Sequence, residues 1–218
     1  MEALLSFLEA NRFLLGLLTN GVLIGMMYAL IALGFVLVYK ATDAINFAQG
    51  EFVMLSALMA AAVIVLAKLP FWVAVIVAVA GMIAFSFGLE RVVLRPLLGR
   101  PIVAVIMATI GLAAILRGAG PFIVGTETRS FSLPVGDERI VLGPIKLQPV
   151  MLTGAVVAIV ALAVFTWFFL KSRAGIAMRA VADNQQVASA MGINVERYFA
   201  LAWAMAGIVA ALGGIVWG

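Results

Sequence analysis

Six long apolar runs dominate this chain, and each is close to the length of a helix that crosses a bilayer. A hydrocarbon core about 30 Å thick requires about 20 apolar residues in a helix. In this sequence 66% of the residues are hydrophobic and 11% are charged, whereas soluble domains average about 45–50% and about 25%. The chain cannot cover this much apolar surface in water, so the sequence predicts an all-α, polytopic transmembrane helical bundle.

The apolar runs give a single transmembrane domain over residues 1–218 with six predicted spans. They lie at 13–39, 52–67, 71–89, 102–116, 150–170 and 198–218. Residues 118–148, between the fourth and fifth spans, are rich in Gly, Pro and Thr, and we expect a small hairpin there around Gly136-Asp137. Residues 171–197 form a polar, partly helical loop. Residues 1–12 lack the basic start of a cleaved signal and are interpreted as an amphipathic segment at the interface.

The positions of the basic residues predict how the spans are oriented. Seven of the fourteen Lys and Arg residues lie in 91–100 and 171–197, and short loops rich in Lys and Arg stay in the cytoplasm. With six spans, the N-terminus and the 118–148 segment are then outside, and residues 40–51 are inside. The 118–148 segment also carries basic residues, so the bias is moderate.

Small residues recur at every fourth position on the first and last spans. Gly21 and Gly25 belong to one such face, and Ala206, Ala210 and Gly214 belong to the other. Helices in lipid associate through close backbone contact, which small residues at this spacing permit. We therefore expect both faces to be helix-packing seams in a multi-helix bundle.

A polar patch at residues 44–51 (AINFAQGE) separates the first two spans. Asn46, Gln49 and Glu51 need partners or water, because unsatisfied polar groups in hydrocarbon are costly. In one interpretation the patch is a cytoplasmic turn, in which Asn46 or Gln49 caps the second helix and Glu51 lies near its positive end. In the other it is a helix break that lines a water-filled translocation path, where Glu51 or Asn46 contacts cargo or shapes a gate.

The 171–197 loop is expected to form two short helices that lie at an angle across the cytoplasmic face. Asp183 or Asn184 is expected to cap the start of the second helix, and Gly192 is expected to end it. The apolar side chains of this loop are mostly small, which suits a protein groove better than lipid. An amphipathic helix that rests on lipid headgroups is the alternative.

Three blocks of the sequence resemble the inner-membrane permease subunits of ABC importers for branched-chain amino acids. They are Gly21–Tyr39, the turn at 46–51 (NFAQGE) and Ala180–Ile193. The first two are specific to that family, and the third resembles a looser coupling motif found in many importer permeases. Family members are longer than this chain, which stops at Trp217-Gly218 without a polar flank, so we expect further C-terminal spans to be missing here.

The resemblance implies a multi-pass transport subunit of the bacterial inner membrane rather than an enzyme. Its partners would be a sibling permease in a heterodimer, two cytoplasmic ATPase subunits, and a periplasmic or lipid-anchored substrate-binding protein. ATP and Mg²⁺ would bind to the ATPases, and no Gly-x-x-x-x-Gly-Lys-Ser/Thr phosphate loop occurs in this chain. The cargo implied is leucine, isoleucine and valine. The loop that couples the chain to the ATPases would include Arg179, Ala182, Asp183, Asn184, Ala188 and Gly192.

Other functions remain open at this point. Related permeases carry urea, short amides or other small amino-acid-like solutes. A secondary transporter or channel would need ionisable groups within the spans, and the central parts of the predicted spans have none. The sequence contains no histidine, no cysteine and no Gly-x-Ser-x-Gly motif, which disfavours a membrane-embedded enzyme. It also contains no basic stretch interleaved with aromatic residues, so no nucleic-acid partner is expected. No resident metal or cofactor is expected either.

Overall fold

The computed structural model describes residues 12–43, 45–97, 99–124, 131, 134, 136, 140–142 and 145–217. Six helices in this part of the chain are long and apolar enough to cross a membrane, which confirms the predicted polytopic helical bundle. They are α1 (Arg12–Thr42), α2 (Gln49–Ala61), α3 (Phe71–Leu89), α4 (Ile102–Val124), α5 (Pro149–Lys171) and α8 (Val195–Trp217). Two short helices, α6 (Arg173–Asp183) and α7 (Gln185–Ala190), connect α5 to α8.

Two of the long helices change their winding before they end. α2 continues as a π-helical turn over Ala62–Leu66. α3 continues as a π-helical turn over Glu90–Leu94 and then a 3₁₀ turn over Arg95–Leu97. The fourth helix also extends further than its predicted span, which ends at residue 116, so that Arg117 lies within α4. A tertiary contact described below explains this extension.

A short β-hairpin precedes α5. Strand β1 (Ile140–Leu142) pairs antiparallel with strand β2 (Ile145–Leu147), and Ile140 lies opposite Leu147. The hairpin therefore lies a few residues after the Gly136-Asp137 position expected from the sequence, of which Asp137 lies outside the described residues. Residues 1–11 of the predicted interfacial segment also lie outside them. Buried Leu147 packs with residues of α1 and α5, which joins the hairpin to the bundle.

Helix α8 lies at the centre of the bundle. It is buried over most of its length, whereas α4 and α5 present most of their surface outward. α1, α2 and α3 pack around α8, α5 packs on α1, and α4 packs on α2. Fully buried Trp203 of α8 contacts Phe52 of α2, with ring centroids 6.3 Å apart. The centre of the bundle is thus a single helix that other helices cover.

Small residues allow α8 to take this central position. Ala206 and Ala210 are fully buried. A Cβ added at Gly214 would overlap α2, and one added at Gly207 would come within 2.7 Å of a backbone oxygen of α3. Such close backbone contact is the main attraction between helices in lipid. The small-residue face on the last span therefore lies where three helices meet.

The small-residue face of α1 lies elsewhere. Gly21 and Gly25 are exposed, and a Cβ added at either would meet no other element in the described part of the chain. The buried side of α1 carries larger residues, namely Leu23, Met27, Leu30, Leu33 and Leu37. A packing role for Gly21 and Gly25 would therefore involve a second polypeptide, and it stays a prediction.

The connections between helices define two ends of the bundle. At one end, which we call the α6–α7 end, a cavity of about 150 Å³ is lined by Asp43 after α1, Arg100 before α4 and Asn184 between α6 and α7. The β-hairpin lies at the opposite end, which we call the hairpin end. The three connections that the sequence predicts to be cytoplasmic therefore lie together.

Candidate functional site

The first candidate site is the break between α1 and α2, because α2 begins deep inside the bundle. Gln49, the first residue of α2, lies against Gly34, which is about 12 Å along α1 from its end at a rise of 1.5 Å per residue. Its side chain also reaches Ala206, about 16 Å along α8 from its start by the same rise. The break therefore lies inside the bundle, well away from the α6–α7 end.

Two buried amide side chains hold the break in shape. Asn46 is fully buried, its Oδ1 accepts a hydrogen bond from the Ala48 N–H at 3.0 Å, and its Nδ2 donates to Gln49 Oε1 at 3.2 Å. Gln49 is also fully buried and donates from Nε2 to the Ala206 carbonyl oxygen at 3.5 Å. The N-cap residue of α2 is Ala48, which makes no side-chain capping bond. Neither amide therefore has the capping position that one interpretation of the sequence gave it.

Helix α4 binds the other side of the break through Thr109. This fully buried hydroxyl accepts a hydrogen bond from the Phe47 N–H at 3.3 Å and donates to the Ile106 carbonyl oxygen of its own helix at 2.9 Å. Nothing in the sequence marks Thr109, since a single Thr in an apolar helix commonly bonds its own backbone. Its bond to the Phe47 N–H becomes apparent only when α4 is placed beside the break.

Gly34 makes the close approach of α1 to the break possible. A Cβ added there would overlap the side-chain amide of Gln49. Gly21 and Gly25 have the regular four-residue spacing. Among Gly21, Gly25 and Gly34, however, it is Gly34 that touches another helix. The sequence signal that could have identified Gly34 is the polar Gln49, which packs opposite it, and not a regular repeat of glycines.

Glu51, in the first turn of α2, forms an ion pair with Arg117 of α4. Arg117 donates to Glu51 Oε1 from Nε at 3.1 Å and also from Nη2. The side chain of Glu51 is 9% exposed and that of Arg117 is 77% exposed, so a buried anion faces an outward cation. Charged residues within membrane spans are rare, usually paired and usually functional. This pairing explains why α4 can continue through Arg117 instead of ending before it.

The ion pair also changes an inference made from the sequence. The central parts of the predicted spans carry no charge, which disfavoured a secondary transporter. In the structure, Arg117 lies within a helix long enough to cross the membrane, and fully buried Glu90 lies within another. The absence of ionisable groups is therefore no argument against ion coupling, and other observations must decide the class of transporter.

The second candidate site is the α6–α7 segment, which begins with a tight reversal after α5. Ser172 caps α6, since its Oγ accepts a hydrogen bond from the Gly175 N–H at 2.9 Å. A Cβ added at Gly175 would come within 2.6 Å of the Phe168 carbonyl oxygen of α5. α6 can therefore fold back under the bundle, where Met178 and Val181 are buried.

Asn184 starts α7. Its Oδ1 accepts a hydrogen bond from the Val187 N–H at 3.0 Å, which is the geometry of an N-cap. The sequence left Asp183 and Asn184 as alternatives for this cap, and the structure selects Asn184. Asp183 is instead the last residue of α6 and is exposed.

Gly192 ends α7 with a positive φ of 83°. The Gly192 N–H donates to the Ser189 carbonyl oxygen, and the Ile193 N–H donates to the Ala188 carbonyl oxygen, both at 3.0 Å. This pair of bonds is the Schellman motif, in which glycine is favoured because other residues adopt positive φ at a cost. The predicted end of the second short helix is confirmed.

The six residues predicted to couple the loop to ATPases differ in exposure. Asp183, Asn184 and Gly192 are exposed, Arg179 and Ala182 are half-buried, and Ala188 is buried. Two apolar residues of this segment outside the six are also exposed, Val187 by 57% and Met191 by 78%. The sequence alone does not single them out, because it does not show which face of α7 the bundle covers.

An ion-pair network connects the start of α8, which follows this segment, to the end of α3. Arg95 donates to both carboxylate oxygens of Glu90, at 3.2 and 3.1 Å, and to Oε2 of Glu196 at 3.1 Å. Glu90 is fully buried, whereas Glu196 lies exposed in the first turn of α8. The end of α3 is thereby joined to the residues that directly follow α7.

The chain matches the family model for the permease component of branched-chain amino acid transport systems over residues 3–218. It belongs to this family. The permease is 31% identical over 216 residues to LivH of Salmonella typhimurium, named a high-affinity branched-chain amino acid transport system permease protein, across 91% of this chain and 68% of LivH. It is 27% identical over 219 residues to BraD of Pseudomonas aeruginosa, which has the same kind of name, across 92% of this chain and 69% of BraD.

A further relative has a broader name. The permease is 35% identical over 114 residues to YphD of Escherichia coli, named a probable ABC transporter permease protein, across 50% of this chain and 32% of YphD. No solved structure matches the permease at a comparable level of significance. Since the family consists of transport-system components, the permease is a multi-pass transport subunit rather than an enzyme.

Proposed function

We propose that this permease forms part of the membrane path of an ATP-driven importer for branched-chain amino acids. The family match over nearly the whole chain carries the proposal, and the names of LivH and BraD supply the cargo. The cargo is a zwitterion with an apolar side chain, so a path for it needs charged or polar groups on the membrane-spanning helices. The Glu51–Arg117 pair meets that need.

The path is proposed to pass the outward side of Arg117. Two of its nitrogens donate to Glu51, and no further hydrogen bond of this side chain occurs within the described residues. A guanidinium has five N–H donors, so donors remain for the carboxylate of a passing amino acid. Glu51 would hold the guanidinium in place and balance its charge. Asn46 and Gln49 would hold the start of α2 in position from inside the bundle, since both are fully buried.

The exposed surfaces of the chain support a sibling permease as a partner. α4 and α5 present most of their apolar surface outward, and the Gly21 and Gly25 face of α1 is uncovered. A sibling subunit that packs beside α4 would close the path between the two subunits. The basic residues at the α6–α7 end favour a cytoplasmic position for that end, with the N-terminus and the hairpin end outside. The substrate-binding protein would then dock at the hairpin end.

The exposed part of the α6–α7 segment is proposed to dock the ATPases. Asp183 offers a charge, and Val187 and Met191 offer apolar surface beside it. The network of Arg95 with Glu90 and Glu196 would convey a movement of this segment to α3 and α8. ATP and Mg²⁺ would bind to the partner subunits.

Transport by the full complex in proteoliposomes tests the path. We expect Arg117→Gln to lower leucine uptake by about tenfold or more, since charge-assisted hydrogen bonds to a carboxylate contribute about 1.5–3 kcal/mol. Arg91→Gln is the matched control, because Arg91 is an exposed arginine of another helix long enough to cross the membrane and forms no ion pair among the described residues. Competition by isoleucine and valine, but not by urea or acetamide, is expected. Unchanged uptake by Arg117→Gln would remove this residue from the path, and competition by urea would change the cargo.

Co-purification of the full-length permease with its ATPases tests the docking surface. We expect Asp183→Ala combined with Met191→Ser to weaken the association. Asn184→Ser keeps a capping side chain and should not weaken it. Ile176→Ser removes another exposed apolar residue, from α6, and serves as the second control. If all three variants retain the ATPases equally, docking lies outside the α6–α7 segment.

A further inference from the structure

A groove between α1 and α5 opens towards the α6–α7 end. It has a volume of about 230 Å³. Most of its wall is apolar and comes from Leu33, Val36, Leu37, Phe165, Phe169 and Leu170. A groove of this kind on the outer side of a membrane bundle suits an acyl chain better than a polar solute.

Two cations lie at this groove. Lys40, in the last turn of α1, and Arg179, in the middle of α6, both line it. The ion pairs among the described residues involve Arg95 and Arg117 and neither of these two. Two basic residues from different helices therefore converge at one end of an apolar groove, which favours a ligand with an anionic head and an apolar tail.

The Nε atom of Arg179 gives an independent indication. It is buried, and it has no hydrogen-bond partner among the described residues. A buried N–H of a charged group is unfavourable unless an acceptor meets it. A phosphate oxygen between Lys40 and Arg179 would be such an acceptor.

The carboxylates that follow these two cations most closely in the sequence line a different cavity. Asp43 and Asp183 line the separate cavity with Arg100 at the α6–α7 end, whereas the part of the chain that the structure describes contributes no acidic residue to the groove. The charge of Lys40 and Arg179 is thus not neutralised from within the groove wall.

We propose that this groove binds one anionic phospholipid. Its phosphate contacts Lys40 and Arg179, and one acyl chain lies between α1 and α5. Basic pockets between membrane helices are recognised sites for anionic headgroups. The inference is independent of the proposed transport function and adds a ligand that couples α6 to the end of α1.

The same end of the bundle offers a matched control. Lys171 ends α5 and Arg173 starts α6, both are exposed, and neither lines the groove. General attraction of a basic surface to anionic lipid would depend on them as much as on Lys40 and Arg179. A specific site would depend on Lys40 and Arg179 and not on Lys171 and Arg173.

Native mass spectrometry of the full complex in mild detergent, titrated with phosphatidylglycerol or phosphatidylcholine, tests the site. We expect one tightly held phosphatidylglycerol, and a K40Q/R179Q variant should bind it about thirtyfold more weakly, because each basic residue near a membrane surface contributes about fivefold. The K171Q/R173Q variant should bind within about twofold of the unsubstituted complex. Equal losses in the two variants, or equal retention of phosphatidylcholine, would overturn the proposal. Displacement by millimolar inorganic phosphate would assign the site to a free anion and overturn it as well.

A second variant keeps the test decisive if K40Q/R179Q does not assemble. Val36→Trp would fill the groove while both cations remain, and Val36 is 48% exposed, so no buried residue is replaced. Weaker phosphatidylglycerol binding is expected, and unchanged binding would contradict the acyl-chain position. Efficient oxidative disulfide cross-linking of Val36→Cys to a cysteine introduced into a span of the sibling permease would show that a subunit covers the groove instead of a lipid.

Discussion

The break between α1 and α2 and the α6–α7 segment are both polar interruptions of an apolar chain, yet the fold satisfies them differently. In the break, Gln49 bonds to α8 and the Phe47 N–H bonds to Thr109 of α4. In the α6–α7 segment, the bonds of Asn184 and Gly192 stay within a few residues. Water is absent from the middle of the bilayer and abundant at its surface, so the buried interruption depends on other helices and the surface one does not.

This contrast predicts where substitutions act. A change in the break should affect the stability of the whole bundle, because it disturbs contacts among α1, α2, α4 and α8. A change in the α6–α7 segment should act locally and on the proposed docking of the ATPases.

The largest effect is expected from Arg117→Gln. It leaves the carboxylate of Glu51 buried without its partner, and we expect a loss of about 2–3 kcal/mol in the free energy of unfolding. This is below the range for fully buried pairs because Arg117 is largely exposed. Glu51→Gln should cost about 1 kcal/mol, since the exposed guanidinium can be hydrated. Denaturant unfolding of the purified complex measures both, and equal losses would contradict the described asymmetry of the pair.

Gly34→Ala should cause the next largest loss in the free energy of unfolding. Its Cβ would overlap the buried amide of Gln49, and overpacking of this kind costs about 1–3 kcal/mol. Gly16→Ala on the same helix, away from the Gly21 and Gly25 face, meets open space and should be neutral or stabilise by up to about 1 kcal/mol, because alanine favours helix. The same unfolding measurement compares the two variants. Matching losses would mean that the close approach of α1 to the break is not what makes Gly34 special.

The caps of α7 should give smaller and local effects. We expect Asn184→Ala and Gly192→Ala each to destabilise α7 by about 1 kcal/mol, through the loss of an N-cap bond and through strain at positive φ. Hydrogen exchange should quicken in residues 185–190 while the thermal midpoint of the complex stays the same. A lower midpoint would show that α7 is part of the cooperative core, which would end the distinction between the two regions.

The smallest effect on stability is expected for Asp183→Ala. Asp183 is exposed and has no role in the cap, so its loss should change the free energy of unfolding by less than about 0.5 kcal/mol. Leucine-stimulated ATP hydrolysis by the assembled complex should nevertheless fall. A stable variant with unchanged hydrolysis would indicate that the exposed end of α6 takes no part in coupling.

Local features of this protein were accessible from the sequence. The six spans follow from apolar length alone, because a backbone in lipid must bond to itself and a helix does so within one segment. The end of α7 at Gly192 and its cap near Asn184 could also be predicted, since the bonds involved span three to five residues. In each case the cause lies within the segment that shows the pattern.

The tertiary structure decided what depends on neighbouring helices. It placed Arg117 inside α4 by giving it Glu51 as a partner, chose Gly34 over Gly25 as the glycine that a helix contact requires, and put α8 at the centre. Gly25 and Gly34 look alike along the chain, because a sequence shows which side chains share a helix face but not what that face meets. Once the helices are assembled, contacts between residues far apart in the chain determine which polar groups can be buried, and that is why the site emerged from the fold.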